Sequence, residues 1–224
     1  MEEALAGIRS ELVLEIVEAA AVIVSAIAGM IIASNKRMDL VGTFALACVN
    51  AFGGGTLRDL LLDNRPFYWM ANWWFFLAIL AIAIPFVYSV RVFKLTTAVH
   101  RRSVKTDAIG LGLFTITGAG IALSHDAPLV VAVLMGVVAG TTGGVLRDIV
   151  VNELPDLFRP GALYATASLA GALAFVGCLY EKLDYTSSAV AGAAIVVVLR
   201  LLSVRLGVRM PAPQWHDDHE RRRA

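Results

Sequence analysis

Gly53-Gly54-Gly55-Thr56-Leu57-Arg58-Asp59 returns, 89 positions later, as Thr142-Gly143-Gly144-Val145-Leu146-Arg147-Asp148. Each copy lies near the end of a long apolar stretch. Paired glycines weaken a helix, and an Arg-Asp dipeptide is expensive in lipid. Matching breaks in two halves of an apolar chain point to a transport path through a membrane.

The surrounding composition fits that setting. The 224 residues are 58% hydrophobic and only 17% charged, and mean hydropathy is +0.73. A soluble domain of this length carries more charge. A membrane-crossing helix needs about 20 mostly apolar residues. Seven blocks meet that length: residues 12–33, 40–62, 72–93, 104–123, 128–151, 161–180 and 186–206. The fold expected is all-α, with seven transmembrane helices joined by short connections. The start Met1-Glu2-Glu3 lacks the basic region of a cleavable signal peptide, so the first block is expected to remain as a helix. Cys48 and Cys178 fall inside apolar blocks and read as buried small hydrophobes.

The offset of 89 aligns more than the motif: Glu18 falls on Asp107, Gly29 on Gly118, Leu40 on Leu129 and Pro66 on Pro155. Residues 10–95 and 100–182 thus form two three-helix repeats, with a seventh helix over 186–207 and a disordered cytoplasmic tail over 208–224. Three helices per repeat make the second copy enter from the opposite side, an inverted topology. Basic residues weight one side: Lys36, Arg37, Arg91, Lys94, Arg101, Arg102, Lys105, Arg159, Arg205, Arg209 and the terminal arginines. That bias puts the N-terminus outside and the C-terminus in the cytoplasm. Tyr68, Trp69, Trp73 and Trp74 read as an aromatic belt at the outer interface.

The motif predicts kinked or unwound helix at Gly53, Gly54, Gly55 and at Gly143, Gly144. Freed carbonyls at such a break coordinate a cation, and Thr56, Thr141 and Thr142 add hydroxyl oxygens in the same turns. Arg58 and Asp59 are neighbours in sequence and do not face each other on one helix, so each needs a partner elsewhere. Arg58 lies ~27 Å along a straight helix from Leu40, near the boundary of the bilayer. Snorkelling to the headgroups accounts for an arginine there, but not for the repeated glycines and aspartate. Arg147 and Asp148 occupy the equivalent end of the second copy. An Arg58–Asp148 pair is disfavoured, because straight helices put the two on opposite faces.

Glu11, Glu15 and Glu18 form one stripe of the first helix, and Asp107 begins the fourth. Glu18 and Asp107 read as a hydrated acidic lining that attracts cations, and Glu11 as a headgroup-level residue. Asn50 is either a lining group or a helix–helix hydrogen bond. The small residues of block six, among them Gly161, Ala170, Gly171 and Gly177, suit a packing or oligomer interface. Arg101, Arg102 and Lys105 are topogenic and lipid-facing, with lipid or voltage sensing as the alternative role. No metal site, cofactor motif or nucleic-acid-binding patch is expected, and no HExxH, GxSxG or paired cysteines suggest an enzyme.

Seven spans, an inverted repeat and Gly-Gly-x-x-Arg-Asp in the second and fifth blocks resemble the prokaryotic trimeric intracellular cation (TRIC) channels. That family has also been labelled a glycine transporter domain and an uncharacterised UPF0126-type membrane protein family. The resemblance covers about residues 10–207. It implies a homotrimer in the cell inner membrane, with one potassium- and sodium-conducting pore in each protomer and hinges at the two glycine motifs. Thr142 stands where the first copy has Gly53, which implies a milder second kink. No TVGYG-type filter is present, so strong K⁺ over Na⁺ selectivity is not expected. A secondary transporter of a small amino acid such as glycine is the competing function.

Overall fold

The structure is a computed structural model and describes residues 2–93, 96–159 and 163–207, with side chains over 10–89, 104–159 and 163–207. The chain order is α1 (Glu2–Asn35), α2 (Leu40–Leu61), α3 (Tyr68–Ala71), α4 (Trp74–Phe93), α5 (Thr96–Ser124), α6 (Leu129–Val150), α7 (Ala165–Tyr180) and α8 (Tyr185–Leu206). Five stretches are long and apolar enough to cross a bilayer: Ser10–Asn35, Leu40–Leu61, Val104–Ser124, Leu129–Val150 and Tyr185–Leu206. Two shorter apolar helices, Trp74–Ser89 and Ala165–Tyr180, occupy the third and sixth blocks. The aromatic cluster forms its own short helix: α3 carries Tyr68 and Trp69, with Trp73 and Trp74 exposed just beyond it. Residues 208–224 and the side chains of Arg101 and Arg102 lie outside the described residues.

The helix ends carry the repeat into the backbone. Arg37 and Asp126 have φ of 57° and 54°, and Asp63 and Asn152 have φ of 51° and 55°. Each pair is separated by the same offset of 89. Left-handed residues of this kind let the chain return onto the last carbonyls of a helix. The matching bonds are Asn64 N–H to Asp59 O at 2.8 Å and Glu153 N–H to Asp148 O at 2.9 Å. Asp39 caps α2 through Gly42 N–H at 2.8 Å, and Asp184 caps α8 through Ser187 N–H at 3.0 Å.

α2 and α6 are helical without interruption through the glycine motifs, so neither is unwound there. The glycines instead let two helices touch. The Ala139 carbonyl oxygen fills the space that a Gly54 side chain would need. Across the same crossing, a Cβ on Gly143 would stand 2.5 Å from the Asn50 carbonyl oxygen. Asn50 and Ala139 are themselves offset by 89, so the two contacts exchange when the repeats are exchanged. A two-fold relation produces that reciprocity. A second matched pair closes each repeat: a Cβ on Gly29 would lie 2.9 Å from Ala47 Cα, and one on Gly118 would lie 3.0 Å from Gly136 Cα. The small residues of α7 also pack within the protomer. A Cβ on Gly171 would meet the Gly192 carbonyl at 2.7 Å, and one on Gly192 would meet the Gly171 carbonyl at 2.9 Å. Gly177 faces open space, and Gly161 lies outside the described residues.

Candidate functional site: paired ion clusters at the α2–α6 crossing

Arg58 ends inside the protein, with none of its surface exposed. Its Nη2 donates to Glu18 Oε1 on α1 at 2.7 Å, and its Nε donates to Asp59 Oδ1 at 2.8 Å. Asp59 also accepts from Asn64 Nδ2 and from Tyr68 N–H, both at 3.2 Å. Arg147 repeats the arrangement in the second half. Its Nη1 donates to Asp107 Oδ1 at 2.6 Å and its Nε to Asp148 Oδ1 at 2.9 Å, while Asp156 N–H donates to Asp148 Oδ2 at 3.3 Å.

These contacts correct one expectation. Neighbouring Arg and Asp do meet in both copies, because the long guanidinium side chain curls back to the adjacent carboxylate. Neither arginine snorkels to the surface, since Arg147 is only 4% exposed. The acidic residues expected to line a path are paired, Glu18 with Arg58 and Asp107 with Arg147. No Arg58–Asp148 pair forms among the described contacts, as expected. Each guanidinium nevertheless faces two carboxylates. In ionised form, each triad keeps one uncompensated negative charge, which favours a nearby cation.

Two small cavities flank the crossing. Glu18, Val22, Ala51, Gly55 and Phe114 contribute to the first, and Asp107, Leu111, Gly140, Gly144 and Ser25 to the second. The five residues of one set fall on the five of the other at the offset of 89, with Ser25 and Phe114 exchanging places. Phe114 lines both cavities and is nearly buried. Each has room for about one water molecule.

The other expected polar groups have local roles. Thr56, Thr141 and Thr142 donate, each at 2.7 Å, to carbonyls one turn back on their own helices: Phe52, Val137 and Val138. The Thr56 hydroxyl oxygen also accepts from Trp69 Nε1 at 3.0 Å. Asn50 donates from Nδ2 to Ser25 O at 2.6 Å, a helix–helix bond, and also lines the second cavity. Glu11, Glu15 and Lys105 are exposed. Outside the spans, Lys36 meets Glu153 at 2.6 Å and Arg159 meets it at 3.2 Å, and these cations hold the Glu153 carboxyl below the usual carboxylate range.

A family model described as a glycine transporter matches residues 15–91 and again 105–180. The UPF0126 inner membrane protein YadS of Escherichia coli (strain K12) is 31% identical over 197 residues, covering 84% of this chain and 90% of that protein. The crystal structure of the TRIC trimeric intracellular cation channel orthologue from Rhodobacter sphaeroides matches with a TM-score of 0.80 and 34% identity, over 88% of this chain and 99% of that one. The chain belongs to the TRIC family of UPF0126 membrane proteins. A prokaryotic TRIC channel crystallised in 0.5 M KCl also matches, with a TM-score of 0.81 and 26% identity, over 88% of this chain and 98% of that one. The repeated ion clusters therefore sit in an all-helical TRIC fold.

Three further residues join the second cluster of this TRIC-family chain without a counterpart in the first. Arg200 on α8 donates from Nη2 to Asp156 Oδ2 at 2.5 Å, and its guanidinium lies 4.8 Å from the centre of the Tyr164 ring. Tyr164 lines the second cavity, and its hydroxyl fills the space that a Gly144 side chain would need. One sequence signal marks Arg200, an ionisable residue well inside an apolar block. Nothing local marks Asp156 or Tyr164, whose counterparts at the same offset are Phe67 and Phe75.

Proposed function

We propose that this protein is a channel for monovalent cations, K⁺ and Na⁺, whose path runs inside one protomer between α1, α2, α5 and α6. The observation that carries this reading is the pair of repeat-related cavities, each beside a triad with one excess carboxylate, with Phe114 in the wall of both. A cation entering either cavity competes with Arg58 or Arg147 for the acidic oxygens. Cavities of this size do not pass ions, so conduction requires α2 and α6 to part. Gly54 against Ala139 and Gly143 against Asn50 are the contacts that slide, with Gly53, Gly55, Thr56, Asp59, Thr141, Thr142, Gly144 and Asp148 in the turns that move. The apolar Phe114 side chain is the constriction, blocking by exclusion of water.

The reading extends to the assembly. Seven spans with the N-terminus outside place the two repeats in opposite orientation in the bacterial inner membrane. Lys105 faces anionic lipid on the cytoplasmic side, at the end of the basic run that includes Arg101 and Arg102. The matched solved channel is named as trimeric, which supports a homotrimer with one path per protomer.

Single-channel recording of the purified protein in planar bilayers tests the function. Unitary currents are expected in symmetric KCl, with a reversal potential in a KCl gradient that reports cation over anion selectivity. Silence in bilayers together with saturable glycine uptake into proteoliposomes would replace the channel with a transporter.

A further inference from the structure

α8 lies outside the repeat, yet its side chains bond into the ion cluster of the second half. Two of its side chains grip the segment entering α7. Ser203 Oγ accepts from Leu163 N–H at 3.1 Å, and Arg200 stacks on the next residue, Tyr164, while pairing with Asp156. Asp156 in turn gives its N–H to Asp148, so α8, the Arg147 triad and the wall of the second cavity form one network. The first half has Phe75 and Phe67 at the equivalent positions, so the Tyr164 hydroxyl and the Asp156 carboxylate have no counterpart there.

Arg200 is also poorly satisfied where it sits. It is 2% exposed, and its Nε and Nη1 have no hydrogen-bond partner among the described residues. A buried donor left without a partner costs about 1–3 kcal/mol. The contacts that hold Arg200 inside are therefore the Asp156 pair and the Tyr164 ring. An element under this tension at one end of a path suits a latch that opens and recloses.

We propose that Arg200 is a positioning residue that keeps Tyr164 across the second cavity, so that α8 latches one half of the path and leaves the other unlatched. The idea rests on the channel reading of the same site. Release of Arg200 frees Tyr164 to swing away from Gly144 and exposes Leu111 and Asp107 to water. The Glu18 cavity, which α8 does not hold in this way, stays as it was.

Thiol modification tests this without needing current. In a Cys48→Ala, Cys178→Ala background, L111C places a thiol in the second cavity and V22C places one at the matching position of the first. Arg200→Gln is expected to speed modification of the L111C thiol by a water-soluble methanethiosulfonate about tenfold or more, with the V22C rate changing by less than about twofold. Tyr164→Ala, which leaves the Arg200–Asp156 pair intact, is expected to give the same one-sided change and carries the test if Arg200→Gln does not assemble. Equal acceleration at both positions, or none at L111C, overturns the latch. In bilayers, Arg200→Gln should raise open probability several-fold at unchanged unitary conductance. One-sided labelling in a protein that passes no current would keep the latch and remove the channel reading; currents with unchanged L111C labelling would do the reverse.

Discussion

Arg58 Nη2 meets Glu18 Oε1 at 2.7 Å, and Arg147 meets Asp107 at 2.6 Å at the equivalent place in the second repeat. Four charged side chains from four helices are thus spent on two copies of one contact, buried where an unpaired charge is costly. The contact ties α1 to α2 and α5 to α6, and it places the excess carboxylate of each triad beside a small cavity. The same geometry that stabilises each half sets the charge met by an entering ion.

Removing one partner should cost more than removing both. Arg58→Ala leaves Glu18 and Asp59 buried without their cation, and the loss expected is about 3–5 kcal/mol. Thermal unfolding of Arg58→Ala, Glu18→Ala and the double variant, read as a cycle, should show the double losing less than the sum of the singles. Additive losses would mean that the pair has no energetic coupling.

Glu18→Gln and Asp107→Asn each remove the excess charge while keeping the side-chain shape. Both should lower cation conductance and move the reversal potential in a KCl gradient toward zero. Unchanged reversal potentials in both would remove these residues from the ion path.

The close approach of α2 and α6 depends on the absence of a side chain at two positions. Gly54→Ala and Gly143→Ala drive a methyl into the Ala139 and Asn50 carbonyls, an overpacking expected to cost about 1–3 kcal/mol. Gly177→Ala is the control: nothing lies within 4 Å of the added methyl, and replacing glycine in a helix favours folding by up to about 1 kcal/mol. Melting temperatures should fall for the first two variants and hold or rise for the third. Equal shifts in all three would point to helix propensity alone.

Phe114 stands where the other repeat has Ser25. Phe114→Ser removes the ring shared by both cavities and should increase current through the open channel, at a stability cost that melting experiments will register. Unitary current equal to that of the parent would place the constriction elsewhere.

Glu153 links the end of α1 to the turn after α6 through Lys36, and Arg159 adds a second cation. Its pKa is lowered in the folded state, so its contribution is present above the ordinary carboxylate value of about 4.3 and is lost as pH falls through the lower folded value. The pair is well exposed, and such contacts are worth below about 1 kcal/mol and weaken with salt. The melting temperature of Glu153→Gln should lie slightly below that of the parent at neutral pH, with the gap closing in acid or at high salt. A gap independent of both would assign the effect to packing.

The local content of the sequence carried most of the architecture. Block lengths set by the bilayer gave helices at all seven apolar stretches, and an offset visible in six residues reappears in turn geometry at Arg37, Asp126, Asp63 and Asn152. The glycine motif, the acidic pair and the arginines were all legible as a site. What they do was not. A glycine weakens a helix and also thins it, and only the Ala139 and Asn50 carbonyls decide between a break and a close crossing. An arginine beside an aspartate has several possible partners, and the choice of Glu18 over lipid headgroups rests on a helix 40 residues away. Arg200, Asp156 and Tyr164 come together from three separate segments, a non-local arrangement that no spacing encodes. Hydrophobic length and repeat are properties of neighbours along the chain, so the sequence alone determined the helices and their two-fold plan. Which charges pair, which glycines touch and where α8 breaks the symmetry depend on packing between distant segments, and those were decided by the tertiary structure.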